Sequence, residues 1–272
     1  GDRALGREDP ELSAVVLQAL REEGVGIAED AMAARVEQIG KEIIVHTADG
    51  RKFTGSHLLV ALGRRANTGD LGLEEAGIET TKSGIKVDAG LRTTNSRVYA
   101  IGDAAGGLQF THVAGYHAGT ILRPLLFGLP AKARNDHIPR ATYCDPELAQ
   151  VGLSEAEAQS KHGAALEVVR FDYAHNDRAI AGRKTTGMIK VMVVKGRPVG
   201  ASIVGADAGE HINLWALVLA NKLKMRHVAA MVSPYPTIGE IGKRAAGAYY
   251  SPRLFESDRI KTVVLMVQRW LP

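Results

Sequence analysis

The sequence predicts a chain of mixed α/β and α+β structure with more than one domain. The first half contains a continuous apolar run at 58–62, which is typical of a strand buried on both faces of a parallel sheet. The second half places a hairpin pattern at 187–205 before a series of helices, and this order indicates an α+β unit. A polar segment with two prolines, FGLPAKARNDHIP, separates the halves and marks the predicted domain boundary.

In the first half, DPELSAVVLQALREEG predicts a helix with Asp9 as N-cap, Pro10 as first residue and Gly24 at the C-terminal cap. The segment EIIVHTADGRKFTG alternates apolar and polar residues around the Asp-Gly pair at 49–50, which predicts a hairpin. We expect the run at 58–62 to form a buried strand. Short strands are expected from residue 83 to the RVYAIGD segment, followed by a helix over FTHVAGYHAGTILRPLL.

In the second half, GMIKVMVVKGRPVGASIVG predicts two strands joined at Lys195-Gly196. The segment EHINLWALVLANKL is apolar on most sides, which predicts a buried helix. A further helix is predicted over IGEIGKRAAGAYY and a short terminal one over DRIKTVVLMVQRWLP. Trp270 and Leu271 of the terminal segment leave two uses open, contact with a membrane surface or packing on a partner subunit, and packing is favoured.

Composition and charge exclude several classes of protein. Apolar residues make up 45% of the 272 residues, charged residues 24%, and the net charge of +4 is spread along the chain. The densest basic spot, Lys243-Arg244, is too short for a nucleic-acid footprint. No apolar run reaches a membrane-spanning length and no signal peptide is visible. The single cysteine, Cys144, allows no disulfide within the chain and favours a reducing, cytoplasmic location.

Common catalytic and cofactor motifs are absent from the sequence. There is no G-x-G-x-x-G, no Walker A segment, no H-E-x-x-H, no cysteine-based zinc pattern and no pair of redox cysteines. The sequence therefore predicts no metal site.

Three other stretches carry chemistry, each with a structural alternative. The run at 58–62 leads to Gly63, where a glycine lets a ligand approach the backbone, although a strand followed by a turn is the favoured interpretation. In VYAIGDAAGG, Asp103 can bind ribose or ribityl hydroxyls, or it can cap the next turn. A helix beginning near Thr111 points its free N–H groups at negative charge. His112 beside it either contacts a ligand or simply packs.

Five segments occur together in the order and spacing of one family. ALGRRAN, YAIGDAAGG, THVAG, ATYCDPELAQVGLSE and YPTIGE resemble the pyridine nucleotide-disulfide oxidoreductases, which include dihydrolipoamide dehydrogenase, glutathione reductase and mercuric reductase. The resemblance covers essentially the whole chain but only the C-terminal half of the family pattern. It implies the remainder of an NAD(P)-binding domain at 1–64, the returning part of an FAD-binding domain at 65–137, and an α+β interface (dimerisation) domain at 138–272.

The resemblance also implies the cofactors FAD and NAD(P)H and the positions that meet them. One residue, Gly63, would lie beside the nicotinamide nucleotide. The residues implied to surround the flavin are Gly102, Asp103, Gln109, Thr111, His112 and Val113.

The segment YPTIGE is implied to reach the partner's active site in a homodimer. Most members have His-Pro-Thr-x-x-Glu there, in which the histidine exchanges protons with a dithiol and the glutamate orients it. This chain has Tyr235 in place of the histidine and keeps Glu240. A phenol, with an ordinary pKa of about 10 against about 6.5 for imidazole, is a poor base at neutral pH. Tyrosine here, and the nearby AHNDRAIA, resemble mercuric reductases and their relatives.

The implied activity is passage of hydride from NAD(P)H to FAD and then to a cysteine pair, with a small disulfide or a metal ion as substrate. Mercuric reductases carry a cysteine pair near the C-terminus, whereas this chain ends VVLMVQRWLP, so mercury itself is not favoured. Two alternatives stay open. The chain is an inactive dimerisation module, or its parent is a flavin reductase without the disulfide. We expect the chain alone to be inactive and to bind FAD weakly or not at all.

Overall fold

A computed structural model describes residues 1–271, which form two compact units. The larger unit comprises Gly1–Glu37, Ile44–Phe53 and the chain from Asp136 onward. The smaller unit comprises Gln38–Ile43 and Thr54–Asn135. The three-domain division implied by the resemblance stays a prediction.

Helices and strands occur throughout the described residues, partly in groups of one type. The helices are α1 (Pro10–Glu22), α2 (Thr111–Phe127), α3 (Glu155–His162), α4 (Asp177–Ala181), α5 (Ala208–Ala220), α6 (Met225–Ala229), α7 (Glu240–Phe255) and α8 (Asp258–Gln268). The strands are β1 (Ala33–Ile39), β2 (Glu42–Thr47), β3 (Lys52–Gly55), β4 (Thr80–Thr81), β5 (Gly84–Ile85), β6 (Arg140–Thr142), β7 (Glu147–Gly152), β8 (Leu166–Asp172), β9 (Met188–Val194) and β10 (Arg197–Gly205). Turns of 3-10 helix lie at Gly102–Ala105, Gly163–Ala165 and Tyr173–His175.

A five-stranded antiparallel sheet forms the centre of the larger unit, in the order β6-β7-β10-β9-β8. The predicted strand pair around Lys195-Gly196 is confirmed as β9 and β10. The predicted helix α5 buries Trp215 completely, but Leu217 on its other side is 58% exposed. The α+β class is therefore confirmed, and α5 is buried on one face only.

Helix α1 follows its predicted N-terminal capping, whereas Glu23 is its C-cap and Gly24 comes after it with φ +87°. The Asp9 carboxylate accepts hydrogen bonds from the N–H groups of Glu11 (3.0 Å) and Leu12 (3.4 Å), and Pro10 is the first helical residue. The buried face of α1, which includes Leu12, packs against Leu148 of β7 and Val204 of β10. The residues that open the chain thus form part of the larger unit's core.

Beside this core, Lys190 of β9 is buried with three carboxylates around its ammonium group. Its Nζ atom lies 2.9 Å from both oxygens of Asp9, 2.6 Å from Glu11 and 2.7 Å from Glu155. Lys190 and Asp9 are each only 2% exposed. Burial lowers the pKa of Lys190, but the hydrogen bonds that its ammonium donates to Glu11, Glu155 and Asp9 outweigh this effect and raise the pKa overall. The ammonium therefore stays charged and ties α1 and α3 to the sheet.

The smaller unit has a core of Ile78, Ile85 and Ala100, with the β4–β5 hairpin beside it. Its helix α2 begins at Thr111, as predicted. Near that end the backbone N–H of Gly102 donates to Nδ1 of the buried His117, at 3.1 Å. Gly102 has φ +61°, and a Cβ there would lie 2.9 Å from the Cβ of Ala114. Only glycine meets both constraints.

Two predicted strands are wrong. Residues 58–62 form no strand, and Leu59 and Leu62 are about nine-tenths exposed. A buried parallel strand needs neighbouring strands for its backbone hydrogen bonds, and the structure over 1–271 places none beside this run. The RVYAIGD segment likewise forms a single bridge, Arg92 to Tyr99, in place of a strand.

The predicted hairpin at 49–50 is confirmed, but the sequence did not reveal β1, which completes a three-stranded sheet in the order β1-β2-β3. Helix α8 is present as predicted, and its apolar side chains, from Val263 to Val267, are all exposed. Over the described residues, none of the helices has both the length and the apolar character needed to cross a bilayer.

We expect the Lys190→Met substitution to destabilise the larger unit by about 3–5 kcal/mol, because it leaves buried carboxylate charge without its partner. The free energy of unfolding, measured by urea denaturation with circular dichroism, tests this. Lys161→Met, at an exposed position in the last turn of α3, is the matched control and should change stability by less than about 0.5 kcal/mol. Equal stability of the two variants would show that the network contributes little.

The buried His117 predicts a pH dependence of the smaller unit. Burial lowers the pKa of His117, so below its ordinary pKa of about 6.5 the unfolded chain takes up a proton that the folded chain resists. Stability is therefore complete above about pH 6.5 and falls as the pH drops below it. Hydrogen exchange of the Gly102 amide, corrected for intrinsic rates, should show less protection at about pH 5.5 than at about pH 7.5. His117→Asn, which keeps an acceptor, should lose this dependence, and an unchanged dependence would exclude His117 as its source.

Candidate functional site

The SPYPTIGE segment forms an exposed loop that leads into α7. Tyr235 is 67% exposed, and the Tyr235–Pro236 peptide bond is cis. The phenol hydroxyl donates a hydrogen bond to Oδ2 of Asp177, at 2.8 Å. Asp177 is the first residue of α4, within the AHNDRAIA segment. The loop also closes on itself, since the Thr237 hydroxyl donates to the carbonyl oxygen of Pro234 at 2.9 Å.

The buried side chain of Asn176 makes a second contact with the same loop. Asn176 is 2% exposed, and its amide nitrogen Nδ2 donates to the carbonyl oxygen of Thr237 at 3.1 Å, with a longer contact to Ile238. Its amide oxygen accepts from the N–H of Ala179 at 2.9 Å and so caps α4. One buried side chain thus joins the start of α4 to the loop that carries Tyr235.

Glu240, the other predicted catalytic residue, has a different partner. It is the first residue of α7, and its carboxylate is bonded by Nε of Arg244 one turn along, at 3.1 Å. Its side chain is 14% exposed.

The hydrogen bond and charge of Asp177 raise the pKa of Tyr235. Glu240 raises it by a smaller amount, and Arg244 lowers it slightly. At neutral pH Tyr235 is therefore a protonated phenol.

The predicted flavin residues lie in the smaller unit around the start of α2. Gly102 and Asp103 open the 3-10 turn at 102–105, and Asp103 is half-buried. Helix α2 has Phe110 as N-cap, which supplies no side-chain hydrogen bond to the helix end. Thr111 is exposed and Val113 is buried at 1% exposure.

His112 and Gly63, two further predicted cofactor residues, have different surroundings in the structure. The ring of His112 stacks on Phe110, with centroids 5.2 Å apart and planes 10° from parallel. Gly63 has φ +108° in an exposed segment outside any strand. Gln109 is half-buried just before α2. The structure therefore brings Gly102, Asp103 and the start of α2 into one unit, with Gly63 in an irregular part of it.

Sequence reasoning missed Asn176 and Asp177. An Asn-Asp pair before a short apolar stretch is a common helix start, which was the available signal. That signal predicts a cap, but it does not reveal that the cap contacts a loop about 60 residues further along.

Two family models match the chain. The model of the pyridine nucleotide-disulphide oxidoreductases matches residues 1–118, and the model of their dimerisation domain matches residues 138–246. The dihydrolipoyl dehydrogenase of Staphylococcus aureus is 34% identical over 248 residues, which cover 89% of this chain and 53% of that relative. The mercuric reductase of Bacillus cereus is also 34% identical, over 88% of this chain and 39% of that protein. The chain thus spans about half the length, or less, of these curated relatives.

Solved structures give the same answer. LpdA from Mycobacterium tuberculosis matches with a TM-score of 0.82 at 28% identity, over 88% of this chain and 53% of the other. The Cu(II) complex of the HOCl-induced flavoprotein disulfide reductase RclA from Escherichia coli matches with a TM-score of 0.82 at 29% identity, over 89% of this chain and 56% of the other. Fold, family models and relatives agree, and the chain belongs to the pyridine nucleotide-disulfide oxidoreductase family.

Proposed function

We propose that this chain acts within an FAD-dependent NAD(P)H oxidoreductase that reduces a small disulfide or a metal ion. The start of α2 carries the proposal. Its N-terminal turn has no side-chain cap, and Asp103 lies in the adjoining turn, in a chain of a flavoprotein family. Helix N–H groups suit the negative charge of a reduced flavin or a phosphate, and a carboxylate suits ribityl or ribose hydroxyls. This donor and acceptor set fits FAD.

In this proposal the chain's own residues bind and orient the cofactor. Bound FAD supplies the hydride relay between NAD(P)H and a cysteine pair. Asp103 accepts hydrogen bonds from hydroxyl groups, while Gly102 allows the turn to approach α2 closely. Gln109, Thr111, His112 and Val113 line the edge of the ring system, and Gly63 lies near the nicotinamide nucleotide.

On the substrate side we assign Tyr235 and Glu240. A tyrosine in this place supports the mercuric-reductase-like branch, and two relatives handle metals according to their names: one is a mercuric reductase, and the other forms a Cu(II) complex. Cys144 does not supply a metal-receiving thiolate, because burial raises the pKa of its thiol, which also donates to the carbonyl oxygens of Thr142 and Pro146. The proposed substrate class is a small disulfide, or a metal ion that binds to cysteines other than Cys144.

The dimerisation-domain match at 138–246 supports a homodimer in which Tyr235 reaches the partner's flavin site. The predicted cytoplasmic location is kept as part of the same proposal, since it rests on the single cysteine.

The 272-residue chain alone should bind FAD weakly or not at all, because it contains no dinucleotide fingerprint to hold the adenine half of the cofactor. The measurement is the absorbance near roughly 450 nm of the purified chain after incubation with FAD and removal of the excess. A stoichiometric yellow complex would contradict this expectation and show that the pocket is complete within the chain.

In a longer protein that contains the chain and binds FAD, Tyr235→Phe should lower substrate turnover, because it removes the phenol oxygen but keeps the ring. The NAD(P)H-dependent reduction of the bound flavin, followed by stopped-flow absorbance, should not change. Tyr235→His tests whether a stronger base restores or alters dithiol chemistry. Unchanged turnover in both variants would show that Tyr235 has only a packing role.

A further inference from the structure

We propose that Asp177, supported by Asn176, is the positioning residue for Tyr235, in place of Glu240. The proposal rests on the proposed function, in which Tyr235 faces the substrate. It differs from the arrangement that the resemblance implies, where the glutamate five residues further along orients the residue at the position of Tyr235.

The contacts of the Tyr235 loop run to Asn176 and Asp177. The only side-chain partner recorded for the Tyr235 hydroxyl among residues 1–271 is the Asp177 carboxylate, at 2.8 Å. Asn176 binds the carbonyl oxygen of Thr237, two residues after the tyrosine, at 3.1 Å. Backbone and side chain of the loop are therefore both fixed to the start of α4. Glu240 is instead engaged by Arg244, at 3.1 Å.

Burial restrains the side chain of Asn176. Asn176 is 2% exposed, so its amide cannot exchange the loop carbonyl for water without leaving polar groups unsatisfied. It also caps α4 through the N–H of Ala179, which fixes its rotamer. A restrained amide next to Asp177 places the carboxylate reproducibly, whereas an exposed Tyr235 on an unsupported loop would sample many rotamers.

This arrangement determines which atoms Tyr235 offers to a substrate. The phenol proton points to Asp177, so the oxygen presents its lone pairs to the exposed side. Tyr235 can then accept a hydrogen bond from the protonated thiol that forms when a disulfide substrate is reduced, and it is not placed to donate one to a thiolate. Asp177 has no contact with the reacting atoms in this scheme and acts only through the phenol.

The first experiment measures the phenol directly in this chain. Tyrosine labelled with carbon-13 at Cζ reports phenol ionisation by NMR, and Tyr235→Phe assigns the signal. The charged groups facing the phenol are Asp177, Glu240 and Arg244. Asp177→Asn should lower the pKa of Tyr235 by about half a pH unit or more, because it removes the carboxylate charge and leaves only a weaker, neutral acceptor for the phenol proton. Glu240→Gln should lower it by less.

Asp177→Glu is the conservative variant and should restore part of the raised pKa. Asp172→Asn is the matched control, because Asp172 is another exposed carboxylate at the end of β8, and it should leave the Tyr235 signal unchanged. A shift with Glu240→Gln that equals or exceeds the shift with Asp177→Asn would overturn the proposal. An unchanged Tyr235 pKa in Asp177→Asn would overturn it as well.

The second experiment uses the longer FAD-containing protein and a mutant cycle. Asp177→Asn should lower kcat several-fold with FAD content unchanged, and it should have no further effect in the Tyr235→Phe background. An undiminished effect there would show that Asp177 acts elsewhere and would overturn the proposal. Loss of the proposed function would be seen separately, as absence of NAD(P)H oxidation in the unsubstituted protein, while the NMR result on the phenol would stand.

Discussion

The buried ammonium of Lys190 is the interaction on which the larger unit depends. A lysine in a central strand position is tolerated only when its charge is compensated, and Asp9, Glu11 and Glu155 supply that compensation from two helices. Because Asp9 is also the N-cap of α1, one carboxylate both starts a helix and fixes it to the sheet. The position of α1 is thus specified by charge as well as by the apolar contacts of Leu12.

The same sheet determines where the candidate substrate-side residues meet. Strand β8 leads through a 3-10 turn into α4 and delivers Asn176 and Asp177. Helices α5 and α6 separate β10 from the loop that carries Tyr235, and α7 begins directly after that loop. Trp215 and Ile241 are buried in the common core, so α5 and α7 cannot shift independently. A contact between residues far apart in sequence is in this way fixed by the packing of the sheet and its helices.

Local chemistry made some features predictable and others not. Three predicted features depend only on neighbouring residues, and the structure has all of them as expected. They are the N-cap at Asp9, the turn at Lys195-Gly196 and the start of a helix at Thr111. The apolar run at 58–62 needed partner strands, so its pattern alone did not determine its structure. The hydrogen-bond partner of the Tyr235 hydroxyl is likewise determined by tertiary structure. The family spacing indicated Glu240 as that partner, but in the structure the hydroxyl bonds to Asp177 and Glu240 bonds to Arg244.

The exchange of histidine for tyrosine alters more than one pKa. A neutral imidazole can accept a proton at one nitrogen while it donates from the other, so a single carboxylate behind it both orients it and stabilises its cation. A phenol has only one oxygen. When that hydroxyl donates its hydrogen bond to Asp177, the same oxygen atom must also contact the substrate. The pair therefore cannot hold an extra proton as an imidazolium does, and what it retains is a fixed acceptor. Such a site is suited to a product thiol that carries its own proton, which sets it apart from members that stabilise a thiolate.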